Sequence, residues 1–167
     1  MPEKIIQVKG SELFFAGKTY HCAIGKGGFS ADKKEGDGCT PLGIFKLREC
    51  WYRADKIAKP ESNLPLKIIT QNDGWSDDAG SPDYNKHIKL PYNFSHEKLW
   101  RDDDVYDLII PLGYNDSPII PGKGSAIFMH VARNNYEPTE GCVALKFIDL
   151  LEILPFLSEK TLIEIKA

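Results

Sequence analysis

The sequence predicts a mainly β domain of the α+β class. Three observations carry that reading. Short runs rich in β-branched and aromatic residues recur along the chain, each bounded by Gly, Pro, Asn or Asp. Only one stretch, residues 146–157, repeats its apolar side chains at helical spacing. At 167 residues the chain suits one domain, 1–167, long enough to bury a core without disulfide staples.

Taken in order, K-I-I-Q-V (Lys4 to Val8), Leu13 to Ala16 and Lys18 to Ile24 are β-prone runs divided by Gly10-Ser11 and Ala16-Gly17-Lys18, the pattern of a hairpin meander. Gly25 to Gly38 is glycine-rich but carries neither phosphate-loop nor dinucleotide spacing. It is expected as a loop beside a cleft, and no cofactor is implied. Leu42 to Leu47 reads as a strand, and Leu66 to Thr70 as another after a mixed stretch limited by Pro60 and Pro65. Gln71 to Asn85 is polar and turn-forming, so a long loop is expected. Trp75, Tyr84 and Asn85 are candidates there to line a substrate cleft, although an aromatic can equally pack such a loop onto the core. His87 and His96 have no nameable partner.

Val105 to Ile110, closed by Pro111, reads as a buried strand beside the run at Ile127, with a Gly- and Pro-rich pocket wall between them. Lys146 to Leu157 reads as a helix in which Pro155 must kink the chain or begin a new turn. Thr161 to Ile165 alternates apolar and polar residues, so the chain ends on a strand.

Composition excludes several functions. With 21 Lys+Arg against 24 Asp+Glu and neither sign massed, the net charge of -3 gives a nucleic-acid or anionic-membrane partner no electrostatic support. The N-terminal stretch lacks a signal peptide's apolar region and no segment approaches a membrane span, so a cytoplasmic protein without membrane insertion is expected if Met1 is the native start. Cys22, Cys39, Cys50 and Cys142 do not resemble a disulfide framework, and no metal-ligand spacing is present, so no metal is expected.

The stretch that carries chemistry is Ser125 to Leu145. His130 follows the apolar run Ala126-Ile127-Phe128-Met129 and is expected at the exposed end of a buried strand, on the face of Phe128 and opposite Met129 and Val131. Cys142 follows twelve positions later, just after Gly141, and is expected at a turn shortly before a helix. Free backbone N–H groups there favour a thiolate and can form an oxyanion hole. A thiol with a reference pKa of about 8.5 is mostly protonated near neutral pH, so a nucleophilic cysteine needs a base. His130 is the candidate, and a buried inert cysteine is the plain alternative.

These residues, preceded by P-G-K-G-S-A-I-F-M and by Thr139-Glu140, resemble the active-site signature of the L,D-transpeptidase catalytic domain (YkuD) family. E-G-D-G-C-T-P-L-G-I-F-K-L (Glu35 to Leu47), G-W-S-D-D (Gly74 to Asp78), P-D-Y-N (Pro82 to Asn85) and L-W-R-D-D-D-V-Y-D (Leu99 to Asp107) are similar to the family in the same order. The resemblance implies an L,D-transpeptidase-like β-sandwich of mixed sheets with a few short helices. It implies Cys142 as nucleophile and His130 as its base, held by a backbone carbonyl such as that of Val131, with the N–H groups of Gly141 and Cys142 receiving the oxyanion. Two positions depart from the family form: Glu140 stands where it has histidine, and Ala144 where an arginine is frequent.

The implied substrate and partner is a peptidoglycan stem tetrapeptide, cleaved between the L-centre of its diamino acid and the terminal D-alanine. Tyr84, Asn85, Arg133 and Thr139 are the candidate substrate-binding residues. Arg133, the only cation in its loop, either meets a substrate carboxylate or pairs with Glu137 or Glu140. Thr139 reads more as a structural hydroxyl than a proton carrier. With water as acceptor the protein is an L,D-carboxypeptidase of murein recycling; with an amine it forms cross-links or exchanges D-amino acids. A non-catalytic module binding wall peptides or a protein is the reading from another class.

Overall fold

The computed structural model describes residues 5–167; Lys4, at the head of the first expected strand, lies outside the described residues. In chain order the strands are β1 (Ile5–Lys9), β2 (Glu12–Phe15), β3 (Lys18–His21), β4 (Phe29–Ser30), β5 (Thr40–Pro41), β6 (Gly43–Lys46), β7 (Cys50–Tyr52), β8 (Leu66–Ile68), β9 (Asp73–Ser76), β10 (His87–Lys89), β11 (His96–Lys98), β12 (Leu108–Pro111), β13 (Phe128–Val131) and β14 (Val143–Leu145), then helix α1 (Phe147–Ile153) and β15 (Leu162–Lys166).

Alternation decides how they assemble. β1 exposes Ile5, Gln7 and Lys9 and buries Ile6 and Val8; β15 buries Ile163 and Ile165. With one apolar face each, they join a five-stranded sheet ordered β3-β2-β1-β15-β6, in which β1 and β15 run parallel. A second sheet, β14-β13-β12-β7-β8, is covered on both faces, and every residue of β12, β13 and β14 is buried. Ile110, Met129, Val143 and Leu145 point into the main core with Ile6, Val8 and Ile163. Ile109, Phe128 and Cys142 point the other way and cluster with Trp51, Trp75 and Tyr106. His130 shares the face of Phe128 and therefore lies on this far side. The architecture is the expected mixed-sheet sandwich.

Several elements differ from expectation. The stretch from Gln71 contains β9, the centre of a three-stranded sheet ordered β10-β9-β11. Its polar sequence hides a strand because the strand is held by ionic bonds: the buried Asp73 carboxylate accepts from Lys89 Nζ and His87 Nε2, both at 2.7 Å. His87 thus has a partner, and His96 bonds the Phe94 carbonyl at 2.8 Å. The strand expected from Val105 begins only at Leu108, because the Asp107 N–H closes a turn onto Asp104. β7 was not anticipated either, its three residues being too short a run to signal a strand.

The position of Cys142 is corrected most. V-A-L forms β14, paired in parallel with β13, so a strand separates the cysteine from α1 and no helix N-terminus faces it. Pro155 does not kink α1; it starts a separate 3-10 turn, Leu154–Phe156.

Candidate active site

The parallel register of β13 and β14 pairs Met129 with Val143 and His130 with Ala144, which brings Cys142 alongside Phe128. The Cys142 sulfur is buried and gripped by backbone on both sides. Sγ donates to the Ala126 carbonyl at 3.2 Å and accepts from the Phe128 N–H at 3.4 Å. Burial pushes this thiol up to about 12, outweighing the Phe128 hydrogen bond, and the carboxylates of Glu97 and Glu140 add to the rise.

The His130 ring is also buried, and its Nδ1 lies 2.9 Å from the Val131 carbonyl. A carbonyl can only accept, so Nδ1 carries the proton and Nε2 keeps its lone pair. Burial draws the imidazole down to about 4; the Val131 contact opposes this and the nearby Arg133 and Arg101 reinforce it. Tyr106 presses its ring edge against the imidazole at 5.5 Å between centroids. Cysteine and histidine are therefore both neutral at rest, and both open on one cleft of about 420 Å³.

The turn before Cys142 is closed by Thr139. Its hydroxyl donates to the Cys142 carbonyl at 2.7 Å and accepts from the Gly141 N–H at 3.0 Å. Thr139 is the structural hydroxyl expected, and the Gly141 N–H, expected in an oxyanion hole, is committed to it. Gly141 has φ +137, and a Cβ there would sit 2.7 Å from the Cys39 carbonyl oxygen, so only glycine fits. Cys39 backs the turn, its thiol bonded to the Gly27 carbonyl at 3.4 Å.

The other expected site residues separate. Arg133 lines the cleft, half-exposed, with the Asp103 carboxylate 3.9 Å away; Glu140 pairs instead with Lys26 at 3.0 Å. Tyr84 and Asn85 do not line this cleft. Tyr84 is buried and donates to Glu35 at 2.7 Å, and Asn85 is buried against backbone, because the loop that carries them folds inward to satisfy its own polar groups.

Cleft residues that sequence reasoning left without a role are Lys33, Glu35, Asp77, Glu97, Arg101 and Tyr106. Tyr106 donates its hydroxyl to Glu97, and Arg101 is bidentate to Asp103 at 2.8 and 2.7 Å. Burial raises Glu97, against the opposing Tyr106 hydrogen bond. The stretch Leu99 to Asp107 was the available signal for Arg101 and Tyr106. Among the described residues no group of three or more His, Cys, Asp or Glu side chains is arranged to hold a metal ion.

A comparison with curated proteins finds no match. Among solved structures, the crystal structure of Mycobacterium tuberculosis L,D-transpeptidase 1 is similar over 98% of this chain, at 10% identity and a TM-score of 0.41; the chain spans 60% of that protein's. The profile of the L,D-transpeptidase catalytic domain, YkuD, matches residues 5–165. With the match running from β1 to β15, the chain belongs to the YkuD L,D-transpeptidase catalytic domain family.

Proposed function

We propose that this protein is a cysteine acyl-transfer enzyme acting on peptidoglycan stem tetrapeptides, with water as acceptor: an L,D-carboxypeptidase working in the cytoplasm on recovered peptides. The observation that carries it is that Cys142, immediately before β14, and His130, on the neighbouring β13, line one cleft, with the imidazole proton held on Nδ1 by Val131.

The thiol is pushed up and the imidazole down, so proton transfer in the empty site is strongly uphill. The proton passes to His130 Nε2 as sulfur attacks the carbonyl at the L-centre of the diamino acid. The Cys142 N–H receives the oxyanion, the Gly141 donor being engaged by Thr139. Collapse breaks the C–N bond; D-alanine leaves with the proton from Nε2, and the acyl group stays as a thioester. A water then gives its proton to Nε2, attacks the thioester, and releases a tripeptide carboxylate and the Cys142 thiol.

Two features support the substrate. The cleft carries Lys33, Arg101 and Arg133 together with Glu35, Asp77 and Glu97, which suits a peptide bearing carboxylates and an ammonium. Its 420 Å³ lies within the roughly 300–1,000 Å³ of small-molecule sites, the scale of a site for one short peptide.

The test is mass spectrometry of purified protein with a glycan-free tetrapeptide ending in D-alanine, with and without excess D-amino acid, beside Cys142→Ala. Tripeptide formed without added amine and lost in the variant supports the proposal. A dominant exchange product makes the protein a transpeptidase, and tetrapeptide bound without turnover makes it a binding module.

A further inference from the structure

Asn85 has every polar atom of its side chain engaged. Oδ1 accepts from Trp75 Nε1 and from the Ala126 N–H, both at 3.0 Å, while Nδ2 donates to the carbonyls of Tyr114 and Asn115 at 3.1 and 2.8 Å. It is buried, and it reaches from the loop before β10 to the segment that leads into β13. At the far end of its contact lies Ala126, an alanine at φ +54. That left-handed conformation is one L-residues with a Cβ seldom adopt, and such residues concentrate at functional sites. One residue on, the Ile127 carbonyl is taken by the Leu112 N–H at 2.9 Å. The segment 126–128 is thus anchored from both sides, and between its anchors the Ala126 carbonyl and the Phe128 N–H hold the Cys142 sulfur.

We propose that Asn85 is a positioning residue for the Cys142 thiol: by gripping the Ala126 N–H it holds the Ala126 backbone in the conformation that aims the Ala126 carbonyl, in the next peptide unit, at Sγ. The proposal deepens the reading of Cys142 as nucleophile and rests on it for the thiol's use in turnover. The carbonyl accepts from the thiol, so this contact keeps sulfur protonated and oriented until a substrate arrives. Asn85 itself touches neither sulfur nor cleft; its action passes through one residue, from the Ala126 N–H to the Ala126 carbonyl.

The experiment follows iodoacetamide labelling of Cys142 against pH, read by peptide mass spectrometry, in wild type, Asn85→Ala and Asn85→Gly. The other groups facing the sulfur are Tyr106, Glu97, Lys33 and Glu140, and none is altered in either variant, nor is His130. Losing the carbonyl acceptor lowers the labelling midpoint by about one pH unit, equivalent to roughly tenfold faster labelling at a fixed pH below it. Cys39, whose thiol bonds elsewhere, keeps its own profile and serves as the internal reference.

Thermal melting run in parallel separates a lost fold from a moved thiol. Asn85 itself sits at φ +56, which glycine adopts without strain, so Asn85→Gly, which removes the side-chain amide, decides the matter where Asn85→Ala does not fold. On tetrapeptide, either variant lowers kcat at unchanged KM. A wild-type midpoint in folded Asn85→Ala, or in Asn85→Gly if the former does not fold, overturns the proposal. Absence of tetrapeptide turnover by the wild type sinks the peptidase reading instead and leaves the labelling comparison standing.

Discussion

His130 donates its Nδ1–H to the carbonyl of Val131, the next residue in the chain, at 2.9 Å. A side chain and its own neighbour thus make the contact that a separate carboxylate or amide makes to the histidine of cysteine and serine hydrolases. Because the partner is a neutral carbonyl, nothing stabilises an imidazolium strongly, and burial holds the group down at about 4.

The base must be neutral to accept a proton, so the acid limb of kcat/KM is expected near pH 4 and not near 6.5. The stability linkage has a matching sign. The unfolded chain takes up this proton below about 6.5 and the folded one only near 4, so stability falls as pH drops through that window. An acid limb near 6.5 would remove His130 from the role of a buried base. His130→Ala is expected to lower kcat by about two to four powers of ten with tetrapeptide binding retained.

Gly141→Ala places a methyl 2.7 Å from the Cys39 carbonyl oxygen at φ +137. The expected cost is about 2–4 kcal/mol, and whatever folds should have a displaced Cys142 and little activity. Urea unfolding of the variant reads the first quantity directly. A variant as stable as wild type means that the turn relaxes and that the close approach to Cys39 is not a constraint.

Arg133 and Arg101 share Asp103, but unequally: Arg101 is bidentate at 2.8 and 2.7 Å, and Arg133 stands 3.9 Å away. Arg133 is thus the less committed of the two, and the one expected to meet a substrate carboxylate. Arg133→Ala should raise KM about ten- to a hundredfold with a small effect on kcat, the loss of a charge-assisted hydrogen bond of about 1.5–3 kcal/mol. A large fall in kcat with KM unchanged contradicts that assignment.

Asp73 is buried, and burial by itself would raise its carboxyl. Hydrogen bonds from Lys89, Thr70 and His87 outweigh it and hold the group at about 2. Its contribution is therefore present above the unfolded value near 3.9 and is lost as pH falls through about 2. Asp73→Asn is expected to destabilise the fold by about 3 kcal/mol at neutral pH, measured by denaturant, with the difference shrinking towards pH 2.

The chain shows unevenly what can be read from order alone. The strands that begin at Ile5, Glu12, Lys18, Leu66, Phe128 and Leu162 follow apolar runs or alternation, which are local signals. β9 does not, because Asp73 is made buriable by His87 and Lys89, more than ten positions away. Nor does β14, whose three residues take their strand form from a parallel partner reached only through the loop after β13. Tyr84 and Asn85 looked like cleft residues because their stretch is polar and carries an aromatic. They are buried because each finds partners far along the chain, Glu35 and Ala126.

By itself the sequence determined the family, the mainly β class, and that His130 and Cys142 are the residues to examine, since residue type and spacing are local and survive without coordinates. Only the tertiary structure decided that both groups are neutral at rest and that Asn85 faces a backbone amide. It also decided that the Gly141 N–H serves Thr139. Ionisation depends on how much water a fold removes around a group, and a hydrogen bond depends on which distant segment arrives opposite it; neither quantity is carried by the order of residues.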